Sequence, residues 1–255
     1  MKLLHLVTAT LALSAALSVS SCSDSDNDNG PINVNPNEDV TSYIDPDFAQ
    51  ELKARGYVSN AAQITGREVL AITMLDVSGN PLEQDSRLTS LKGIEYMVNL
   101  RSLKCKSNAL TTLDLRHNTE LYELQCQNNE LTSLTLPDDD DLEILNAGRN
   151  KLTSLDLRRQ DDLRQLDLSF NSLQTLDVRN CDDLTSLYLN NNLLTSMDIR
   201  YNRALTAFTI DNNPGTGGTL TVTVGFDPTT MPAGFTSGSW AYDGATVAVE
   251  YQQSR

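Results

Sequence analysis

Histidine, tryptophan and basic side chains are scarce in this 255-residue chain, which holds two histidines, His5 and His117, one tryptophan, and 19 Lys and Arg against 34 Asp and Glu. A net charge of −15 excludes the clustered basic surface on which nucleic-acid binding depends. Aromatics make up 5% and apolar residues 39%, below the roughly 45–50% of ordinary globular domains, so no thick aromatic core is expected. His5 lies in an N-terminal segment that reads as removable. That leaves His117 for histidine-based catalysis, and no serine or cysteine accompanies it in a recognisable motif. The sequence has no C-x-x-C pair or histidine cluster of zinc spacing, and no phosphate loop, nucleophile elbow or paired-carboxylate cleft. The chain therefore reads as a non-enzyme, with neither metal nor cofactor expected.

What is present is a period. Leu110, Leu131, Leu152, Leu173 and Leu194 follow one another at 21-residue steps, and an asparagine recurs with them at Asn108, Asn129, Asn150, Asn171, Asn192 and Asn213. The unit reads L-x-x-L-x-L-x-x-N-x-L, as in Leu121, Leu124, Cys126, Asn129 and Leu131 and again in Leu163, Leu166, Leu168, Asn171 and Leu173. An opening copy stands 28 residues earlier at Ile72, Leu75, Val77, Asn80 and Leu82, giving seven coils. The L-x-L element alternates faces as a strand does, turning two leucines inward and one variable residue outward. No coil can bury its leucines alone, so the units are expected to stack at about 4.8 Å per coil. Each asparagine amide, with two donors and an acceptor, is expected to satisfy backbone groups of its own coil and of the next.

The sequence resembles the leucine-rich-repeat proteins of the short, 21-residue bacterial class. The resemblance implies a β-rich α/β horseshoe-like solenoid over residues 72–215, closed by a helical N-terminal cap over 46–71 and a β cap over 216–255. In that class a second echo, L-x-x-L-D-L-x-x-N, nests in each unit, and here it is seen at Leu113-Asp114-Leu115 with Asn118 and at Met197-Asp198-Ile199 with Asn202. Its asparagine has drifted to Asp139, Gln160 and Cys181. Related caps can carry a calcium loop, but aligning Ile64 and Glu68 with that loop puts Tyr57, Ser59 and Ala61 at ligand positions, so oxygen donors are missing. The acidic run Asp138 to Asp141 reads as a solvated bend.

The outward columns separate uniformity from variety. In the nested echo Asp114, Asp156, Asp177 and Asp198 form one column and Arg116, Arg158, Arg179 and Arg200 the next, a charge-paired surface of small energetic weight. The other column varies: Lys104, Gln125, Asn146, Asp167, Tyr188 and Thr209, with Lys106 and Asn190 beside it and Tyr122 and Phe170 on the flanks. A scaffold needs sameness, whereas recognition needs particular chemistry. The candidate partner-binding residues are Lys104, Lys106, Tyr122, Gln125, Asn146, Asp167, Tyr188 and Asn190 on the concave sheet; an unselected polar sheet is the competing reading. Asn80 and the six later asparagines form the structural ladder. Cys105 and Cys126 share an inward column as small buried hydrophobes.

Residues 1–21 read as a leader, with Lys2 ahead of the apolar stretch Leu3 to Leu17. The segment Val19-Ser20-Ser21-Cys22 resembles the lipobox of bacterial lipoproteins, which implies a lipid on Cys22 and a membrane anchor without a span. Residues 22–45 read as a disordered acidic tether, and Ser23 to Asn29 resembles the surface-export signal of Gram-negative lipoproteins. The expectation is an outer-membrane lipid-anchored module facing the exterior that binds a protein ligand. The alternatives are a glycan-binding accessory lipoprotein of a polysaccharide-uptake system and a non-binding spacer.

Overall fold

The computed structural model describes residues 32–82, 86–216 and 220–224, and the backbone of two further strands at Trp240–Tyr242 and Ala245–Tyr251. The leader, Cys22 and the acidic run after it lie outside the described residues. The tether expected to reach residue 45 gives way earlier. Val34, Val40 and Ile44 are buried in the common core, and Val40 N donates to Ile64 O at 2.9 Å, because three apolar side chains within eleven residues bury enough surface to hold the segment down.

Two short helices follow. The first, α1 (Pro46–Ala54), has Pro46 at its first turn and Asp45 as N-cap, whose carboxylate accepts from Asp47 N and Phe48 N, the pairing that satisfies otherwise orphaned donors. It buries Phe48, Ala49 and Leu52. The second, α2 (Gly66–Leu70), opens with a reciprocal cap between Thr65 and Glu68.

The chain then winds into coils. Seven three-residue strands form one parallel sheet: β1 (Met74–Asp76), β2 (Ser102–Lys104), β4 (Glu123–Gln125), β6 (Ile144–Asn146), β7 (Gln165–Asp167), β8 (Ser186–Tyr188) and β10 (Ala207–Thr209). Leu103 pairs with Leu124, Leu124 with Leu145, Leu145 with Leu166, Leu166 with Leu187 and Leu187 with Phe208, so each step from β2 onward is 21 residues. These residues, and the column Cys105, Cys126, Ala147, Leu168, Leu189 and Ile210, are buried. A second row holds β3 (Thr112–Asp114), β5 (Ser133–Thr135), β9 (Ser196–Asp198) and β11 (Thr221–Val224), with β3 on β5 and β9 on β11. β11 pairs in parallel with β13 (Ala245–Tyr251), which pairs antiparallel with β12 (Trp240–Tyr242).

The first coil departs from the sequence reading. Leu82 is 91% exposed and Asn80 is exposed, its Oδ1 accepting from Leu82 N at 3.0 Å. The inward place belongs to Leu88, which is buried and donates its N–H to Asn108 Oδ1. The opening copy is longer than the others, so the leucine that regains the inward phase comes after the extra residues.

The free edge of β1 is met by the helical segment. Asp76 N donates to Tyr57 Oη at 2.9 Å, and Arg55 donates to Asp76 O and Ser78 O at 2.9 and 2.7 Å. An open strand edge invites pairing with another chain, and these three bonds occupy it. Among the described residues no helix is long and apolar enough to cross a membrane.

Candidate functional site

The asparagine ladder fixes what is inside. From Asn108 to Asn213 each Nδ2 donates to the carbonyl three residues earlier in its own coil and to one in the coil before: Asn171, for example, bonds Leu168 O at 3.1 Å and Ala147 O at 3.0 Å. Its Oδ1 accepts from Leu152 N of the preceding coil at 3.0 Å. The coil served is therefore the preceding one, where the sequence had suggested the next. The reason is geometric, since the inward bend turns the amide back over the strand already laid down.

With the interior fixed, the outer face of the main sheet is defined. Lys104, Lys106, Gln125, Asn146, Asp167 and Asn190 stand on it half-buried, Tyr188 is 36% exposed, and Tyr122 flanks it at 41%. The end nearest β1 is tied up within the chain. Glu123 accepts from Ser102 Oγ at 2.6 Å and Gln125 Nε2 at 2.7 Å, with Lys104 Nζ at 3.4 Å. Burial raises the Glu123 carboxyl, but these hydrogen bonds and the Lys104 charge outweigh it and leave it below the usual glutamate range. Farther along, Asp167 Oδ1 accepts from Ser169 N and Oγ at 2.9 and 2.6 Å, and Thr209 Oγ1 donates to Asn190 Oδ1 at 3.1 Å. Tyr122, just before β4, and Tyr188, on β8, are separated by β6 and β7 and do not form one cluster.

Sequence reasoning missed two features. Glu123 and Ser102 share the outer face with Gln125 and Lys104, as strand alternation itself would have shown. The second is a column of left-handed residues at Ser107, Asn128, Arg149, Phe170, Asn191 and Asn212, with φ between 56° and 60°. Asparagine suits that conformation, whereas Arg149 and Phe170 are strained in it by of order 1 kcal/mol. The Arg149 guanidinium lies 4.1 Å from the centroid of the Phe170 ring, which is 39% exposed. An exposed aromatic is thus held in place by a stacked cation at the edge of the candidate face.

The second row repeats one Asp–Arg pair in four coils and breaks it once, at Thr135 and Pro137 of the β5 coil. Arg116, Arg158, Arg179 and Arg200 bond Asp114, Asp156, Asp177 and Asp198 of their own coils at 2.8, 2.6, 2.7 and 2.7 Å. Each arginine hydrogen-bonds its aspartate through side chain and backbone and holds the Asp156, Asp177 and Asp198 carboxyls below their ordinary value. Cys105, Cys126 and Cys181 are free and buried, and burial pushes the thiols of Cys126 and Cys181 up to about 12, so none is a ready nucleophile. Among the described residues no group of three His, Cys, Asp or Glu is placed to hold a metal ion.

No family model and no curated protein matches the sequence. Among solved structures, the chain is similar to a leucine-rich-repeat protein of Leptospira interrogans, with TM-score 0.51, 19% identity, 74% of this chain and 45% of that one. It also matches the functional domain of InlJ from Listeria monocytogenes, which includes a cysteine ladder, with TM-score 0.43, 24% identity, 75% of this chain and 53% of that one. An internalin, InlF, of Listeria monocytogenes matches with TM-score 0.48, 21% identity, 88% of this chain and 74% of that one. The chain spans about half the length of the first two. Identities this low speak to architecture alone, and the Leptospira interrogans match, with the strand register and the buried leucine columns, gives one conclusion: the fold is a leucine-rich-repeat solenoid.

Proposed function

We propose that the chain is a surface-held protein-interaction module whose partner docks on the outer face of the main sheet, through Lys104, Lys106, Tyr122, Gln125, Asn146, Asp167, Tyr188 and Asn190, with a lipid on Cys22 as its outer-membrane anchor. One observation carries the reading: the two rows share one backbone repeat, yet one presents the same Asp–Arg pair in four of its coils, interrupted by Thr135 and Pro137, while the other changes residue from each coil to the next. Tyr122, Tyr188 and Phe170 supply exposed aromatic area on or beside the variable face, the chemistry enriched at contact hot spots.

The test is a pull-down of candidate surface proteins with the soluble chain from Ile32, run beside a glycan array. Tyr188→Ala should weaken the captured partner about tenfold or more, while Asp156→Ala, in the Asp–Arg row, leaves it unchanged. Equal binding by wild type and Tyr188→Ala would sink the reading. The same exposed tyrosines favour a second one, in which sugar rings stack on them; hits on the array with a blank pull-down select it. Cys22→Ser should move the full chain from the membrane to the soluble fraction.

A further inference from the structure

Positions 118, 139, 160, 181 and 202 recur along the second row at the register of the nested echo, and four of the five bring a hydrogen-bond donor to the coil before. Asn118 Nδ2 donates to Ile94 O and Met97 O at 2.9 and 3.0 Å, Gln160 Nε2 to Pro137 O and Asp139 O at 3.0 Å each, and Asn202 Nδ2 to Val178 O and Cys181 O at 2.8 and 2.6 Å. Cys181 Sγ faces Leu157 O at 3.9 Å. These side chains are buried. Asp139 stands in the same slot, half-buried, with its Oδ1 enclosed and without a hydrogen-bond partner, as are the amide oxygens of Asn118, Gln160 and Asn202; what it lacks beside them is the amide donor. By register the carbonyls before it are those of Leu115 and Asn118. An ionised carboxylate has no proton to give them, whereas a neutral carboxyl has one O–H.

We propose that Asp139 is a proton-operated joint of the solenoid: neutral, it donates to the preceding coil as the amides of Asn118, Gln160 and Asn202 do, and ionised, it leaves that joint open and the bend at 138–141 loose. Its surroundings favour the neutral form. Asp138, Asp140 and Asp141 flank it on its own bend, His117 and Glu120 stand on the coil before, and Arg159, Asp161 and Asp162 on the coil after. Arg159 is directed to Asp138, donating to its carbonyl at 3.0 Å and lying 3.7 Å from its carboxylate. Burial first, then the charges of Asp141 and Asp140, push the Asp139 carboxyl from 3.8 up to about 6. A folded-state value raised in this way gives stability that is complete below 3.8 and lost as the pH rises through about 6.

The experiment is thermal unfolding of the 32–255 chain from pH 7.5 to 5, for wild type and Asp139→Asn, each with and without His117→Gln, which replaces the one histidine of that chain. Wild type should gain about 2–4 °C in Tm on acidification. Asp139→Asn should lack most of that gain and melt above wild type at pH 7.5. Amide-exchange protection across 138–141 should rise with acid in wild type and stay level in the variant. An equal acid-induced gain in both proteins, or an Asp139→Asn that melts below wild type at pH 7.5, overturns the proposal. If Asp139→Asn does not fold, Asp139→Gln, carrying the amide found at Gln160, is judged by the same two outcomes.

Discussion

A ladder residue and a surface residue of the same chemical type differ here by what surrounds them. Asn171 is buried and bonds two inner carbonyls and the N–H of Leu152, so Asn171→Ala should cost roughly 1–3 kcal/mol by leaving those groups unpaired. Asn80→Ala, at an exposed turn, should cost well under 1 kcal/mol. Denaturant unfolding of both variants checks the contrast, and equal losses would show that burial is not what gives the ladder its weight. The recurrence of asparagine was legible in the sequence because an amide is the side chain that both donates twice and accepts. The partner coil was not, because a one-dimensional pattern carries no sense of direction along the stack. Arg149 and Phe170 were hidden for a related reason: left-handed backbone is signalled by glycine or asparagine, and neither stands there.

At the level of elements, the helical segment is held by one carboxylate. Glu68 Oε1 accepts from Ser59 N and Oγ at 2.9 and 2.8 Å, and Oε2 from Thr65 N and Oγ1 at 2.9 and 3.0 Å. Burial raises its pKa, but these bonds prevail and lower it from 4.5 to about 2. A depressed folded-state value means the staple acts fully above 4.5 and is lost as the pH falls through about 2. Wild type should therefore lose Tm on acidification below 4.5, and Glu68→Gln should start lower at neutral pH and fall less steeply over that range. Parallel melting curves with no difference in slope would assign the acid loss to other groups. A helical cap over 46–71 was expected from the resemblance, and Pro46 stands in the first turn of α1. The same short sequence could not show that Ser59, read as a poor metal ligand, bonds Glu68 directly, or that Tyr57 and Arg55 reach the free edge of β1.

Across the whole molecule, the coils contact only their neighbours, so a complete unit should be removable. Deleting residues 151–171 joins Asn150 to Ser172 and Leu173, restoring the N-x-L spacing, and should give a shorter, cooperatively folded protein of lower stability. Deleting 151–170 leaves one residue too many in the joint, turns the following columns out of phase and should abolish cooperative unfolding. Circular dichroism with denaturant melts separates the two, and equal behaviour would contradict a stacked register. The 21-residue leucine and asparagine spacing determined the solenoid, its interior and the identity of its two rows, because burying one face of a repeated coil admits a single phase. Tertiary structure decided the rest: that Leu88 replaces Leu82 in the core, that the segment from Val34 joins the packed body, that Glu123 ties one end of the variable face together, and that Asp139 fills a slot built for a donor. Those outcomes depend on which groups meet across coils, and contact between residues distant in the chain is set by packing and hydrogen bonding after the coils have stacked.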